Sequence, residues 1–263
     1  MSPQTASPSP RDTQRQYARQ AQHYADSRLH SRGASLQAVL DLAAAGDTET
    51  GLDIGTGAGH TAFGLAATAH RVVASDLTPE MLRLTRRLSI ERGLESKVEC
   101  VAAAAESLAF ADGTFPLVTC RVASHHFHDL PAALREIARV LAPDGRFVLC
   151  DVVAPEGEGL DETMNEWERL RDPTHVWDYR LSQWRDELLP AAGFDVREAV
   201  LGRHPIQFND WVERSGTPAP VVERLRGMYL GVAEDAKRAF EVREEGEDIS
   251  FSWPSATILA TKA

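Results

Sequence analysis

Short apolar runs alternate with segments of helical period between residues 50 and 153. The apolar runs have the length of strands and lie at 50–54, 71–75, 97–102, 117–121 and 145–151. Segments with apolar residues three and four positions apart separate most of them, at 58–69, 79–92 and 130–141. A further helix is predicted at 182–191, and further strands at 194–201 and 256–261. This alternation is typical of a parallel sheet covered by helices on both faces.

Other stretches of the chain exceed what an open sheet needs. Two of them, 154–180 and 204–248, combine a helical period with aromatic residues, and we expect them to form a cap over the carboxyl ends of the strands. Residues 14–45 are expected to form N-terminal helices that close the site, and the Ser- and Pro-rich residues 1–13 a disordered tail. The alternative is that these segments only cover apolar surface.

The predicted fold class is therefore α/β, with a doubly wound, mostly parallel, seven-stranded Rossmann-like sheet and helical cap insertions. The sheet and its insertions would form one domain over residues 46–263.

Composition limits the classes of partner. The chain has 39 acidic and 28 basic residues, and its net charge of −11 provides no basic field for nucleic acid. No apolar run approaches the roughly 20 residues of a membrane span, and no signal peptide is recognised, so we expect a cytoplasmic protein. The three cysteines are far apart in sequence, which indicates neither a disulfide framework nor a zinc site. A homodimer and a monomer both stay open.

A glycine-rich turn follows the first predicted strand and leads into a helix. Gly55, Gly57 and Gly59 alternate there, which lets the backbone turn tightly and approach a ligand. The dinucleotide fingerprint requires a glycine at the position of His60, so this pattern differs from it. Asp53, just before the turn, would repel a pyrophosphate and attract the cationic methionine end of S-adenosylmethionine. The turn therefore favours that donor over a dinucleotide.

Asp76 ends the second predicted strand, 17 residues after Gly59. This is about the distance at which an acidic residue meets ribose hydroxyls in doubly wound folds. The alternative is that Asp76 caps the next helix, although Thr78 and the following Pro already provide a helix start. In the ribose interpretation, Leu77 and Met81 would lie against the adenine.

Five sequence runs occur together in a characteristic order. They are LDIGTGAG at 52–59, SDLTPEML at 75–82, AESLAFADGTF at 105–115, CRVASHHF at 120–127 and RVLAPDGR at 139–146. In this order they resemble the class I S-adenosylmethionine-dependent methyltransferases of the ubiquinone/menaquinone-biosynthesis type, the methyltransferase 11 group. The resemblance covers about residues 14–200.

The resemblance implies how the donor would be held. Ala105 and Glu106 would flank the adenine, and Arg121 and Val122 would face the methionine moiety. The family often has an Asp where this chain has Ala104, so a backbone acceptor or Glu106 would meet the adenine amino group. The remaining donor-binding candidates come from the glycine turn and the N-terminal segment: Asp53, Gly55, Thr56, Gly57, Gly59, His60 and Tyr24.

Several histidines follow the fourth predicted strand, at the mouth of the expected site. His125 and His126 are the candidate catalytic bases, because a neutral imidazole there could accept a proton from the acceptor. The alternative is that His126 packs under the loop. With His128 and Asp129 the set also admits a metal interpretation, but Asp129 is expected to cap the next helix. No metal is predicted.

The acceptor pocket has candidates in the loop and in the cap. They are His128, Arg171, His175 and Trp177, and Arg171 is expected to pair with Asp172. Tyr17 and Tyr24 lie two helical turns apart and could close over the donor, with core packing as the alternative.

The sequence predicts an S-adenosylmethionine-dependent methyltransferase that acts on a small-molecule acceptor at O, N or C. The alternatives are a protein that binds this donor without methyl transfer and, less favoured, a nicotinamide-dependent oxidoreductase.

Overall fold

One twisted sheet organises the molecule. The structure, a computed structural model, describes residues 8–26 and 33–263, with side chains in the first range only up to residue 19. The strands are β1 (Thr50–Ile54), β2 (Arg71–Asp76), β3 (Val98–Ala102), β4 (Phe115–Arg121), β5 (Leu141–Val152), β6 (Phe194–Gln207), β7 (Arg243–Glu245) and β8 (Asp248–Lys262). Their order is β3-β2-β1-β4-β5-β8-β6, and β7 pairs with β8.

Strands β1 to β5 run parallel, whereas β8 is antiparallel to both of its neighbours β5 and β6. The predicted mostly parallel α/β sheet is confirmed. The strand order reverses between β1 and β4, which opens a crevice at their carboxyl ends. That crevice is where open α/β sheets bind ligands.

Helices cover the sheet and form the cap. They are α1 (Pro10–Asp26), α2 (Ala34–Ala43), α3 (His60–Leu65), α4 (Pro79–Glu91), α5 (Leu130–Val140), α6 (Leu160–Arg171), α7 (Leu181–Gln183, the π-helical turn Trp184–Leu188 and Leu189–Ala191), α8 (Phe208–Ser215), α9 (Ala219–Gly231) and α10 (Glu234–Phe240). Helix α5 begins as its sequence predicts, because the Asp129 side chain accepts the backbone N–H of Ala132. Among the described residues, none of the helices has both the length and the apolarity that crossing a bilayer requires.

The structure extends the predicted elements at two places. Helix α1 begins at Pro10, within the stretch predicted as a tail. Strands β6 and β8 pair from Phe194 opposite Lys262 to Gln207 opposite Ser250, so this pair is longer than the predicted strands. With β7, the sheet in the described part of the chain has eight strands. The extension of β6 lacks an alternating apolar pattern because most of this edge strand is exposed, and an edge strand also tolerates Pro205.

The cap has an aromatic core of its own. We define the cap as α6, α8, α9, α10 and the outer halves of β6 and β8. The ring of Trp167 on α6 stacks on Tyr229 of α9, with 4.0 Å between the ring centroids. Trp211 and Trp253 pack against the same Tyr229 ring, and all four aromatic residues are buried. This core forms a wall over the crevice.

Candidate active site

The three glycines of the turn after β1 have different structural roles. A Cβ on Gly55 would lie 2.5 Å from the Ala123 Cβ, and a Cβ on Gly59 would lie 2.6 Å from the Phe63 ring. These two glycines therefore permit close packing, and Gly59 does not line the crevice. Gly57 has a φ of +54° and no atom within 4 Å of its Cβ position, on the side that faces the crevice. Gly57 leaves open the space that a ligand needs in order to approach the backbone of the turn.

Asp53 lies behind the turn and not against the ligand space. Its side chain is buried and accepts hydrogen bonds from the hydroxyls of Thr56 (2.6 Å) and Thr119 (2.8 Å). Burial raises the pKa of Asp53 to about 6. The prediction that this carboxylate faces the cationic end of the donor is wrong in its geometry, because Asp53 holds the turn in place.

Asp76 ends β2 at the wall of the crevice. Its Oδ2 accepts the backbone N–H of Gly57, and its Oδ1 accepts that of Thr78, both at 2.8 Å. The Thr78 side chain makes no capping bond, so Asp76 also serves the start of α4. Burial raises the pKa of Asp76. The carboxylate joins two backbone segments, and Asp76 lines the cleft.

One cleft joins the glycine turn to the cap. Its volume is about 1470 Å³ with the open solvent at its mouth included. Most of the predicted site residues line it: Gly55, Thr56, Gly57, His60, Asp76, Leu77, Met81, Ala105, Glu106, Arg121, His125, His126, His128 and Arg171. The cleft therefore brings the glycine turn, the histidine loop and α6 to one surface.

Two residues near the donor end of the cleft have further constraints. Arg121 at the end of β4 donates through Nε to the Thr61 hydroxyl (2.9 Å), which places a half-buried cation beside the turn. Val122 follows with a φ of +54°, a conformation that a β-branched residue adopts only at a cost, and it lines the cleft. Strain of this kind concentrates at functional sites.

Glu106 lines the cleft but is already engaged. Its Oε1 accepts the backbone N–H of His128 at 2.9 Å, so the side chain ties the loop after β4 to the loop after β3. If Glu106 also accepted a hydrogen bond from the adenine amino group, its carboxylate would have to serve both donors.

His125 forms a pair with Asp151, the acidic residue near the end of β5. Its Nδ1 lies 2.8 Å from Asp151 Oδ1, and the same carboxylate accepts the Ser124 backbone N–H (2.9 Å) and hydroxyl (2.5 Å). Burial alone would lower the pKa of His125, but the Asp151 charge outweighs it and raises the pKa to about 9. At neutral pH His125 therefore keeps its proton, which disfavours it as a base.

His126 is held in one neutral tautomer. Its Nδ1 lies 3.0 Å from the carbonyl oxygen of Thr174, so Nδ1 must donate, and Nε2 accepts the hydroxyl of Tyr17 on α1. Burial and the neighbouring His125 charge lower the pKa of His126 to about 4. Tyr17 lines the cleft and also packs against the cluster of Ala58, Met81 and Leu84, so its closure over the donor stays a prediction. The Tyr24 side chain lies outside the described residues.

The predicted cap residues separate into two groups. Arg171 lines the cleft and pairs with Glu168 at 3.0 Å rather than with Asp172, because one helical turn of α6 aligns the first two. His175 and Trp177 do not line the cleft. His175 Nε2 bonds Asn165 Oδ1 (2.8 Å), and the Trp177 ring lies under the guanidinium of Arg169 at 5.2 Å.

Comparison with known proteins decides the family. A family model described as a methyltransferase domain matches residues 52–149, which run from β1 into β5. The uncharacterized methyltransferase YcgJ of Bacillus subtilis (strain 168) is 35% identical over 248 residues, covering 94% of this chain and 97% of the relative. The chain belongs to this methyltransferase family.

Solved structures agree along most of the methyltransferase. The crystal structure of YcgJ from B. subtilis has a TM-score of 0.83 at 36% identity and covers 87% of this chain and 97% of that one. A putative methyltransferase from Bacillus halodurans C-125 has a TM-score of 0.82 at 32% identity, with 87% and 98% covered. The family's cofactor is S-adenosylmethionine, which sets aside the oxidoreductase alternative.

The cleft of the methyltransferase fits this cofactor. The space over Gly57 is open where a Cβ would intrude, Asp76 forms the neighbouring wall, and Arg121 supplies a cation at the far end of the turn. Sequence reasoning missed three acidic residues deeper in the cleft region: Asp151, Glu168 and Asp178. Asp151 was accessible from the sequence because it ends a predicted strand. Glu168 and Asp178 carry no comparable signal, since their positions depend on how the cap folds.

Proposed function

We propose that this methyltransferase transfers a methyl group to a small, partly apolar acceptor that binds between the glycine turn and the cap. The observation that carries the proposal is the continuous cleft, whose cap end combines apolar and acidic side chains. These include Val152, Glu168, Asp178, Ile206, Trp211 and Trp253. A concave mixed surface of this kind favours a small molecule over a polymer.

The donor end of the cleft would hold S-adenosylmethionine along the strand ends. The Asp76 carboxylate would meet the ribose hydroxyls, and Leu77, Met81 and Ala105 would lie against the adenine. Arg121 would attract the carboxylate of the methionine moiety. When bound, the cofactor supplies a methyl group that its sulfonium already activates. The protein must then mainly orient the acceptor and exclude water.

Helix α1 contributes to that exclusion. Gln14 Nε2 donates to the Leu77 carbonyl oxygen at 2.8 Å, and Thr13 and Tyr17 line the cleft on the same side. This helix would close the donor end and keep the Tyr17 hydroxyl on His126 Nε2. His126 would thereby stay neutral, with its one acceptor nitrogen engaged by Tyr17, while the charged His125 would act as a hydrogen-bond donor.

The test is methyl transfer with a fractionated metabolite extract. The protein with S-adenosylmethionine should form S-adenosylhomocysteine only when the low-molecular-mass filtrate is present, and Asp76→Ala should lose most of this activity. Product that needs the macromolecular fraction would contradict the small-molecule acceptor. Donor binding without turnover in any fraction would instead favour a protein that binds the donor without methyl transfer.

A further inference from the structure

Asp178 is a buried carboxylate without a hydrogen-bond partner. It lies in the segment between α6 and α7, and its side chain is fully buried. Neither Oδ1 nor Oδ2 has a hydrogen-bond partner among the described residues. The side chain lines the cleft at its cap end. Buried carboxylates are ordinarily hydrogen-bonded or paired, so an unpartnered one that faces a cavity indicates a ligand contact.

The backbone around Asp178 is held rigidly. Asn165 on α6 accepts the Asp178 N–H through Oδ1 (2.7 Å) and donates through Nδ2 to the Asp178 carbonyl oxygen (3.0 Å). The N–H groups of Val176 and Trp177 both donate to the His125 carbonyl oxygen, at 2.9 and 3.3 Å. The fold therefore fixes this segment from two sides and leaves the carboxylate without a partner.

The positive groups that face Asp178, including His125 within 4.8 Å, are engaged by other carboxylates. His125 is paired with Asp151, and Arg171 is paired with Glu168. His175 Nε2 lies 3.8 Å away, but burial lowers the pKa of this histidine well below its usual value, so it stays neutral and donates to Asn165. Burial in turn raises the pKa of Asp178 well above its usual range. A cation that enters the cleft would relieve this cost.

We propose that Asp178 binds a protonated amine of the acceptor. The indole ring of Trp253 lines the same end of the cleft, as does that of Trp211, over which the Arg171 guanidinium lies at 5.1 Å. Aromatic faces of this kind favour a cation. The cations nearby are already engaged: Arg171 with Glu168, and Arg214 with Asp210 at 2.9 Å. The inference rests on the proposed function and narrows its acceptor to an amine-bearing small molecule.

The first test uses the stability of the free protein. Because the folded pKa of Asp178 lies above its unfolded value of about 3.9, the ionised carboxylate lowers stability as the pH rises above that value. Asp178→Asn should therefore raise the thermal unfolding midpoint at pH 7 by several degrees, and the difference should vanish near pH 4. A structural carboxylate would give the opposite sign.

Asp172→Asn is the matched control. Asp172 lies in the same segment and is also buried, but it accepts the Thr174 N–H (2.8 Å) and hydroxyl (2.7 Å) and does not line the cleft. Burial acts to raise its pKa, but nearby positive charge and these hydrogen bonds outweigh it and lower the pKa. Asp172→Asn should lower the midpoint at pH 7. A lowered midpoint in both variants would overturn the proposal.

The second test measures ligand class directly. Thermal shifts of the protein saturated with S-adenosylhomocysteine would be compared for aryl- and alkylamines and for the alcohols of the same carbon skeletons, such as benzylamine and benzyl alcohol. Amines should raise the midpoint in the wild type and lose this effect in Asp178→Asn, whereas the alcohols should not distinguish the two proteins. If no amine exceeds its alcohol, or if Mg²⁺ alone gives the Asp178-dependent shift, the proposal is wrong. S-adenosylhomocysteine binding is measured separately, so its absence would count against the proposed function instead.

Discussion

At the scale of single side chains, the ion pair of His125 and Asp151 is the main electrostatic interaction among the candidate site residues. Both groups are buried, and Asp151 also accepts hydrogen bonds from Ser124 and from the Val152 backbone. The pair holds the loop after β4 in place beside the cleft. Its contribution to stability must depend on pH, because only the protonated imidazole carries the charge.

We expect the free energy of unfolding to fall as the pH rises through about 9. The folded pKa of His125, about 9, lies above the unfolded value of about 6.5. The stabilisation is therefore complete below pH 6.5 and is lost as the pH passes about 9, by roughly 3 kcal/mol. Urea denaturation between pH 6 and pH 9.5 measures it.

The double variant His125→Gln/Asp151→Asn keeps a hydrogen-bonding pair without the charges. It should show a shallower dependence than the wild type over the same pH range, while His70→Gln at an exposed position should behave as the wild type. Equal slopes in the wild type and the double variant would refute the ion pair.

The sequence could predict the donor residues because their signals are local. A strand end, alternating glycines and an acidic residue at the next strand end stand in fixed order, and Gly57 and Asp76 lie where this order requires. The role of Asp53 was predicted wrongly because successive side chains of a strand point to opposite faces of the sheet. Here the Asp53 carboxylate faces Thr119 of β4. Asp178 could not be found, since its orientation depends on Asn165, 13 residues away on a helix.

Among the elements, α1 connects the sheet domain to the closure of the cleft. Its residues reach the loop after β2 through Gln14, the histidine loop through Tyr17, and the end of α8 through Gln16, which donates to the Ser215 carbonyl oxygen. These contacts span the donor end and the cap. The helix is thus positioned to respond to what the cleft contains.

Donor binding should slow hydrogen exchange in α1. Ligand contacts to Thr13 and Tyr17 would add to the few hydrogen bonds that hold this terminal helix, and a bound state opens less often. Exchange mass spectrometry with and without S-adenosylhomocysteine measures the effect, with α9 as an internal reference because none of its residues lines the cleft. Unchanged exchange in α1 would rule out the closing role.

The central strands β1 and β4 were predictable as elements because each is a short apolar run buried on both faces. The outer half of β8 was missed although it contains Phe251 and Trp253. These residues belong to the core of the cap and not to that of the sheet. The strand extends this far because it pairs with the outer half of β6, and local propensity does not show that pairing.

The whole molecule has a sheet core and a separate aromatic core in the cap. The cleft lies where they meet, so the acceptor end depends on the stability of the cap. Trp167, fully buried and stacked on Tyr229, lies at the centre of the second core.

Trp167→Ala should destabilise the protein by about 3–5 kcal/mol, because it opens a large cavity among the aromatic rings. Trp177→Ala, at a half-buried ring that lies under Arg169, should cost less than about 1 kcal/mol. Urea denaturation compares the two variants. Similar losses of free energy would show that the cap is not organised around Trp167.

The central claim is that the donor binds over the glycine turn, and two glycines test it as a matched pair. Gly57 and Gly93 both have positive φ, +54° and +67°, and both have open space at the Cβ position, but only Gly57 lines the cleft. Calorimetric titration with S-adenosylhomocysteine should give wild-type affinity for Gly93→Arg. Gly57→Arg should bind at least about tenfold more weakly, a loss of about 1.4 kcal/mol or more. Equal affinities in the two variants would contradict the account.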